Sequence, residues 1–323
     1  MRSSGVLVVA ALLFVSGESS ADPMSTSPER AYDLGEIPNP RALAMGDALN
    51  ALGVSTASMY LNPANMALAR VYHLEGLAAY SPEARRQTYA LAIVDSLISS
   101  TKLAGGLAGA WSEMDPDGLH RTWTDVRGGL ALPLGDHFAF GAVLRWLRIE
   151  QSVAAGPFGL SPASSGTATS PIFNQLTFDA GATVSLGDFR IAATGHNLTF
   201  PRSGLAPTTG ALGIGFFSQA FAIEADGLLD FSTYSSARGR LMGGGEIFVA
   251  DRYAIRLGWR YDAGTQVNTP SLGLGYIDPK WSVEVGVNHD IIGSHAETMA
   301  VLSLRYFYDP TGANSSPTDP GFF

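Results

Sequence analysis

Side chains along most of this chain alternate between apolar and polar at every second residue. In one segment Leu176, Phe178 and Leu186 fall on one face. Thr177 and Asp179 fall on the opposite face. A period of two residues is typical of a β-strand, because successive side chains point to opposite sides of the pleated backbone.

The two faces of these strands differ in a way that favours a membrane barrel. In another segment Ile255, Leu257 and Trp259 oppose Arg256 and Arg260. Bulky apolar residues on one face and charges on the other fit strands between lipid and a watery lumen. Only 15% of the residues are charged, against about 25% in soluble domains, so little of the surface is built to meet water.

The alternation divides the chain into strands, with turn residues between them. We predict fourteen strands, at residues 71–80, 86–95, 101–112, 120–132, 137–149, 174–186, 189–199, 209–217, 220–230, 238–250, 253–262, 271–277, 281–289 and 298–308. The number is even, as in single-chain bacterial barrels. Connections after even-numbered strands are mostly short, and the longest, residues 150–173, follows an odd-numbered strand. The predicted fold class is an all-β transmembrane antiparallel barrel.

The two ends of the chain do not alternate. Residues 1–21 combine Arg2, an apolar stretch and a final Ser-Ser-Ala, which predicts a secretory signal peptide. Residues 22–69 are interrupted by Pro38, Pro40 and Gly46, and Asn62-Pro63 predicts a helix start. The barrel is assigned to residues 70–308 and a Pro/Gly/Ser-rich flexible tail to residues 309–323.

Aromatic residues near the predicted strand ends suggest the two belts that barrels place at the membrane surfaces. The set consists of Tyr80, Tyr89, Trp111, Trp123, Phe138, Trp146, Tyr253, Trp281, Tyr306 and Tyr308. It carries weight as a set, because a single aromatic can reflect ordinary strand propensity.

Motifs that would carry chemistry are missing from the sequence. There is no cysteine, and the six histidines lack metal-ligand spacing. We therefore predict no metal, no cofactor and no catalytic residues, while a Ser–His pair brought together across strands would make a lipid hydrolase a third, weaker interpretation. The net charge of −9 argues against nucleic acid as a partner.

Two segments of the N-terminal region carry a family resemblance. The first is Asn-Pro-Arg-Ala-Leu-Ala-Met-Gly-Asp-Ala, with Arg41, Met45 and Gly46. The second ends in Asn-Pro-Ala, at Asn62, Pro63 and Ala64. Together they resemble the N-terminal plug of FadL-type fatty-acid transporters and of PorV/PorQ-type outer-membrane proteins, although position 47 holds Asp where those families commonly have Gly.

The resemblance implies a fourteen-stranded barrel whose lumen is closed by an N-terminal plug, here residues 22–69. In FadL-type members hydrophobic ligands leave sideways through a gap at the third strand. Gly105, Gly106 and Gly109 lie in the third predicted strand and are the candidates for such a lateral gate. The alternative is that they are ordinary strand glycines, which occur throughout this chain.

Charged residues on the lumen side of the predicted strands have two interpretations. They either form a pore lining or docking surface for the plug, or they pair with one another and fill the lumen; their interspersed signs favour the second. Arg41 and Asp47 of the plug could join the network. The set consists of Glu75, Arg127, Arg145, Asp179, Glu224, Asp226, Arg240, Glu246, Arg256, Arg260, Glu284 and Arg305.

The predicted role is passive transport of small hydrophobic, fatty-acid-like molecules across the outer membrane of a Gram-negative bacterium. The alternative is a PorV-like, non-enzymatic partner barrel in a protein secretion or envelope-spanning complex. Expected partners are outer-membrane lipid, a hydrophobic small molecule and, in the alternative, envelope proteins. A transporter predicts an apolar pocket between the mouth and the plug, whereas a partner barrel predicts a filled lumen.

Overall fold

The computed structural model describes residues 36–97, 99, 103–114, 119–153, 171–201, 203–291 and 296–308. These residues form fourteen strands, one short α-helix and two short 3-10 helices. None of the helices in this part of the chain has the length and apolarity that crossing a membrane requires. The predicted signal peptide and the predicted tail lie outside the described residues.

The strands agree with the sequence prediction to within three residues, with two exceptions. They are β1 Tyr72–Ser81, β2 Arg86–Asp95, β3 Ala104–Met114, β4 Leu119–Leu134, β5 Phe138–Val153, β6 Phe173–Leu186, β7 Phe189–His196, β8 Thr209–Phe217, β9 Phe221–Asp230, β10 Arg238–Val249, β11 Tyr253–Asp262, β12 Val267–Ile277, β13 Trp281–His289 and β14 Thr298–Phe307. The exceptions are β5, which ends four residues after the predicted end, and β12, which begins four residues before the predicted start. Pro270 suggested a loop, but β12 pairs only with β11 until the ladder to β13 begins at Ser271. A proline is tolerated on a strand whose neighbouring side is still unpaired.

Every strand pairs antiparallel with its neighbours in sequence, and the last pairs with the first. The closing ladder between β1 and β14 runs from His73 opposite Phe307 to Tyr80 opposite Ala300. The sheet is therefore a closed barrel. Closure satisfies the backbone hydrogen-bonding groups of the edge strands, which lipid could not do.

The two faces of the wall differ as the alternation predicts. On β11 Tyr253, Ile255 and Leu257 are exposed on the outside, whereas Ala254 and Arg256 are buried. The other strands repeat this pattern, which gives a wall of exposed Leu, Ile, Val and Phe side chains. Such a surface is suited to hydrocarbon and not to water. The prediction of a transmembrane barrel fold is confirmed.

The predicted aromatic belts hold with one correction. Tyr80, Tyr89 and Tyr306 are among the predicted members that are about half exposed at strand ends on the outer face. The assignment of Trp123 to a belt is wrong, because this side chain is only 4% exposed and points inward. It shares the face of Arg127, and positions an even number of residues apart on a strand lie on the same side.

The N-terminal region forms three short helical elements. Two of them begin at an Asn-Pro pair: α1 Pro40–Ala44 is capped by Asn39, and the second 3-10 helix, Pro63–Ala67, by Asn62. The Asn62 side chain accepts from the Ala64 N–H at 3.1 Å, as the predicted helix start implies. The first 3-10 helix, Ser55–Met59, has no side-chain cap. Helix α1 was not predicted, although it carries the same Asn-Pro signal.

Residues 36–69 lie inside the barrel and are called the plug below. Helix α1 packs against β11, β12, β13 and β14. The second 3-10 helix packs against β4, β5 and β6, and the first against β1, β2 and β3. The plug thus touches the wall on nearly all sides, and the described part of the N-terminal region occupies the lumen as predicted.

The two ends of the barrel differ in their connections. Except for residues 96–103, the connections after even-numbered strands are two or three residues long, such as 187–188 and 250–252; we call this the short-turn end. The connections after odd-numbered strands include residues 154–172 and 197–208, and this is the long-loop end. In bacterial outer-membrane barrels the short turns face the periplasm and the long loops face outside.

The outer face predicts how stability depends on depth in the membrane. We expect Leu257→Arg, in the middle of β11, to lower the free energy of unfolding by about 2–4 kcal/mol, because a guanidinium there meets hydrocarbon. Leu186→Arg, the same substitution at a strand end, should cost about 0–1 kcal/mol. Urea unfolding in phospholipid vesicles measures both values. Equal costs at the two positions would contradict a membrane-spanning wall.

Candidate functional site

Glycines on the inner face of the wall mark where the plug makes contact. An added Cβ at any of them would lie within 3.3 Å of a plug atom. We call this set the glycine socket: Gly106, Gly129, Gly141, Gly181, Gly213, Gly215, Gly244, Gly258, Gly273 and Gly286. The high glycine content of the strands is therefore explained by close approach of the plug, a role that strand glycines commonly have.

The closest approach of the plug backbone to the wall lies at Met45 and Gly46, two of the predicted plug-motif residues. Gly46 has a φ of +68°, and a Cβ on it would lie 2.5 Å from the Trp259 backbone. On the wall, a Cβ added to Gly244 of β10 would lie 2.3 Å from the Met45 carbonyl oxygen of the plug. Neither position can take a side chain without moving the plug. The other motif residues Pro63 and Ala64 lie against Gly141 in the same way.

The predicted gate glycines do not form a kink. Pairing of β3 with β2 and β4 continues without a bulge through Gly105, Gly106 and Gly109. Gly106 belongs to the glycine socket and faces Met59 and Met66 of the plug. Gly109 faces outward, over an open apolar dent of about 650 Å³ in the wall. A lateral gate at these residues stays a prediction.

All twelve predicted lumen charges are buried, each at most 8% exposed. Five of them, together with Arg41 of the plug, form a chain that begins and ends on the plug. Arg41 bonds Glu246, which bonds Arg256 at 2.9 Å. Arg256 pairs with Glu284 at 2.7 Å.

The chain continues around the wall and returns to the plug. Glu284 lies 3.4 Å from Arg305, and Arg305 donates to Glu75 at 3.0 Å. Glu75 accepts a hydrogen bond from the hydroxyl of Thr56 in the first 3-10 helix. We call this chain, from Arg41 to Thr56, the ion-pair chain. Burial of so many charges is possible because each is paired with the opposite sign.

Other lumen charges form a second cluster beneath the second 3-10 helix. Asp125 accepts from Arg127 at 3.0 Å and from Arg145 at 2.8 Å. Asp179 lies 3.7 Å from Arg127 and 3.4 Å from His196. The Arg127 guanidinium also lies 5.1 Å from the centre of the Tyr60 ring, a cation–π contact with the plug.

Two more of the predicted charges, Arg260 and Arg240, bind the plug. Asp47 pairs with Arg260 at 2.5 Å, and Glu36 with Arg240 at 3.3 Å. The predicted lumen set therefore acts both as a paired network and as a docking surface for the plug, so the two interpretations are not exclusive. The plug residue Asn62 adds a hydrogen bond to Thr183 at 2.9 Å.

The plug backbone crosses the middle of the lumen beside β9. The Asn50 N–H donates to Asp226 at 2.9 Å, and the Leu52 N–H to Glu224 at 2.9 Å. The Ala51 N–H also donates to Glu224. We call residues 50–52 the partition, because a cavity lies on each side of it.

The upper cavity opens toward the long-loop end and has a volume of about 150 Å³. Its wall mixes apolar side chains with paired charges. The apolar part includes Ile37, Leu61, Leu205, Ala206, Ala211 and Met242. The Oη of Tyr60 also lines it and makes no hydrogen bond within the described residues. Burial raises the pKa of the Tyr60 phenol, so the group stays protonated and can donate.

The lower cavity lies on the other side of the partition, at the short-turn end. It has a volume of about 210 Å³ and is lined by Arg41, Leu52, Arg190, Phe217, Ala222 and Phe248 among others. The two cavities share no lining residue, so the partition and its neighbours separate them.

A Ser–His contact is present, but it lies in the wrong place for catalysis. The Ser55 hydroxyl lies 2.5 Å from Nδ1 of His73, and both residues are at most 2% exposed. Neither residue lines the cavities described here. The contact joins the first 3-10 helix to β1. In the described residues no cluster of three or more His, Asp or Glu side chains could hold a metal ion.

Sequence reasoning missed several inward charges that the alternation marks, and Asp125 and Arg190 are two of them. Asp125 shares a face with Arg127, and Arg190 lies between the outward residues Phe189 and Ile191. Both could have been found from their parity along the strand. Tyr60 and the partition carried no such signal, because their role depends on where the plug lies in the lumen.

Comparisons with known proteins support the fold. No protein-family model matches the sequence, and no curated protein matches it significantly. Similar solved structures include the toluene transporter TbuX of Ralstonia pickettii, with a TM-score of 0.62 and 14% identity over 86% of this chain and 100% of that one. The CymD monoaromatic hydrocarbon channel has a TM-score of 0.64 and 12% identity, covering 86% and 98%. A FadL homologue of Pseudomonas aeruginosa has a TM-score of 0.58 and 16% identity, covering 85% and 99%.

Identities this low establish a shared fold and no more. The resemblance to FadL-type barrels is confirmed at that level, since the matches extend over nearly the full length of those proteins. The PorV-type part of the resemblance stays a prediction.

The glycine socket predicts a difference between two neighbouring glycines. We expect Gly244→Ala to displace the plug and lower the free energy of unfolding by about 1–3 kcal/mol, because its Cβ overlaps the Met45 backbone. Gly243→Ala on the lipid side should be tolerated, since the nearest atom to its Cβ is 3.9 Å away. Urea unfolding and protease cleavage of the plug measure the effects. Equal behaviour of the two variants would contradict the docked plug.

The ion-pair chain predicts a large cost for removing one member. Glu246→Gln leaves Arg41 and Arg256 without their shared carboxylate, and we expect a loss of about 3–5 kcal/mol. The control is Glu150→Gln, which breaks the exposed pair with Arg148 and should cost about 0–1 kcal/mol. Urea unfolding of both variants in vesicles is the measurement. A loss for Glu246→Gln no larger than for the control would exclude an anchoring role.

Proposed function

We propose that this protein is an outer-membrane channel through which small hydrophobic molecules diffuse passively. The observation that carries the proposal is the upper cavity, which lies directly above the plug inside a closed barrel with a lipid-facing wall. The placement in the outer membrane of a Gram-negative bacterium follows from the fold, because barrels of this kind are outer-membrane structures.

The size of the upper cavity limits the size of the molecules that the channel can carry. Its volume is about 150 Å³. An apolar protein cavity of about 150 Å³ binds one benzene molecule. A single-ring hydrocarbon therefore fits without rearrangement, whereas a long acyl chain requires more space. The proposed substrates are monoaromatic or similarly small hydrocarbons.

An apolar cluster on the inner face leads toward this cavity from the long-loop end. It consists of Met114, Trp123, Leu147, Ile149 and Phe173, packed against Leu205 and Ala206. The last two residues also line the upper cavity. An apolar inner face at the mouth is unusual for a lumen that is otherwise polar. It supports entry of a hydrophobic molecule on this side.

The charges around the upper cavity do not oppose a neutral ligand. Arg127 and Arg145 both bind Asp125, and Asp179 lies beside Arg127 and His196. Paired charges present little net field to the cavity, so a neutral ring does not displace an ion from its partner. The similarity to a toluene transporter and to a monoaromatic hydrocarbon channel supports the same class of substrate.

The proposal predicts that filling the upper cavity blocks uptake. The barrel is expressed in a Gram-negative strain that lacks its own hydrocarbon channels, and initial uptake of radiolabelled toluene and oleate is compared with the empty vector. We expect the wild type to raise toluene uptake more than oleate uptake. Ala211→Trp, whose side chain enters the cavity, should return toluene uptake to the vector level.

Leu212→Trp is the matched control, because this neighbour on β8 points to lipid and is 66% exposed. It should transport as the wild type does, with the same amount of folded barrel in the membrane. Wild-type uptake no higher than the vector would overturn the transport proposal and favour the partner-barrel alternative. Normal uptake by Ala211→Trp would remove the upper cavity from the route.

A further inference from the structure

The lower cavity differs from the upper one in the state of its charged side chains. In the described residues its charged lining consists of Arg41, Asp188, Arg190 and Glu246. Arg41 and Glu246 bind each other, and Asp188 lies exposed in the β6–β7 turn. Arg190 is the remaining charge, and its surroundings differ from those of the other lumen arginines.

Arg190 is 7% exposed and has no hydrogen-bonding partner among the residues that the structure describes. Its Nε is buried without a hydrogen bond, and no carboxylate of the described residues lies within 4 Å of it. A buried guanidinium is costly unless it is paired. The other buried lumen arginines of the predicted set all have a carboxylate partner in the barrel or the plug.

Two charged groups that act on Arg190 electrostatically are already engaged. They are Arg41, which is held by Glu246, and Glu224, which accepts the N–H groups of Ala51 and Leu52. Arg41 is itself a cation and cannot pair with Arg190, and Glu224 cannot turn to Arg190 without releasing the plug backbone. The positive charge of Arg190 is therefore available to a ligand.

The guanidinium is held in a fixed orientation. Its central carbon lies 4.6 Å from the centre of the Phe217 ring. An arginine stacked on an aromatic face keeps its N–H edge free for a planar acceptor, and carboxylates are such acceptors.

The floor of the cavity is also fixed by backbone hydrogen bonds. The Phe217 N–H donates to the Asp188 carbonyl at 3.0 Å. The Phe248 N–H donates to the Ala220 carbonyl at 2.9 Å. These bonds tie the β6–β7, β8–β9 and β10 ends together, so the aromatic side chains around Arg190 are placed by rigid elements and not by a loose loop.

We propose that the lower cavity is a binding site for a small carboxylate with an apolar body, in which Arg190 holds the carboxylate. Leu52, Phe217, Ala222 and Phe248 supply the apolar contacts. The volume of about 210 Å³ exceeds that of the upper cavity and accommodates one substituted aromatic ring. The site opens at the short-turn end, which faces the periplasm. This inference does not rest on hydrocarbon transport, because it concerns a charged ligand on the other side of the partition.

The test uses the purified full chain in nanodiscs of zwitterionic lipid. Binding of 4-fluorobenzoate is titrated by ¹⁹F NMR and compared with 4-fluorobenzamide, which has the same shape and no charge. We expect Arg190→Met to weaken 4-fluorobenzoate binding by about tenfold or more, the effect of losing a charged hydrogen-bonding partner. Binding of 4-fluorobenzamide should not change, and Arg190→Lys should retain part of the carboxylate affinity.

Arg252→Met is the matched control. Arg252 is an exposed cation in the β10–β11 turn at the same end of the barrel. This control should bind 4-fluorobenzoate as the wild type does, which separates a built site from general attraction of an anion to positive charge. A loss in Arg252→Met as large as in Arg190→Met would overturn the proposal.

Two further results would also overturn it. One is equal affinity of the wild type for the carboxylate and the amide, and the other is unchanged 4-fluorobenzoate binding by folded Arg190→Met. Should Arg190→Met fail to fold, the site is tested with Ala222→Leu instead. This variant keeps Arg190 and fills the lower cavity. Loss of 4-fluorobenzoate binding in Ala222→Leu supports the site, and retention excludes it. Toluene uptake is measured separately, so failure of either proposal leaves the other distinguishable.

Discussion

The structure depends on the pairing of charges inside a wall whose other side faces lipid. A closed barrel gives inward side chains no route to hydrocarbon, and a plug removes much of their access to water. Each inward charge must then find an opposite charge or a hydrogen-bond donor within the lumen. The ion-pair chain meets this requirement by running from Arg41 through the wall to Thr56, so that the plug supplies both ends of the network.

The glycine socket and the ion-pair chain fix the plug by different means. The socket lets the plug backbone come within a few ångströms of the wall, and overlap with neighbouring backbone sets its depth at Met45 and Gly46. The ion pairs restrain its rotation, because Arg41 pairs with Glu246 of β10 and Asp47 pairs with Arg260 of β11. A plug held in both ways does not leave the lumen as a loose segment would. Under the proposed function, passage through this barrel therefore requires local rearrangement of the plug and not its ejection.

The strands could be predicted from the sequence because their signal is local. A period of two is visible within a few residues, and it placed twelve of the strands to within three residues at both ends. The same alternation places Trp123 inside, because it lies an even number of residues from Arg127. The sequence therefore contained the information that excludes Trp123 from the aromatic belt. Helix α1 was missed because its Asn-Pro start lies among residues that otherwise suggest a broken chain.

The site itself could be predicted only in part. The inward charges were visible from parity, but their partners were not, since Arg41 and Glu246 are 205 residues apart in the chain. The glycines were visible too, and only the position of the plug explains which of them face it. Nothing local distinguishes Gly243 on the lipid side from Gly244 in the socket except parity, and nothing local reveals that a plug occupies the lumen at that height.

The partition relates the two cavities to each other. Three backbone N–H groups of residues 50–52 hold it to Asp226 and Glu224, so opening it exposes two carboxylates to whatever passes. A neutral hydrocarbon cannot replace the lost hydrogen bonds to these carboxylates. An anion cannot replace them either, because the freed carboxylates repel it. The direct path from the upper to the lower cavity is thus unfavourable for both kinds of ligand. The upper and lower cavities are for this reason better understood as two separate sites than as consecutive parts of one pathway. The upper cavity faces the long loops, and the lower cavity faces the short turns.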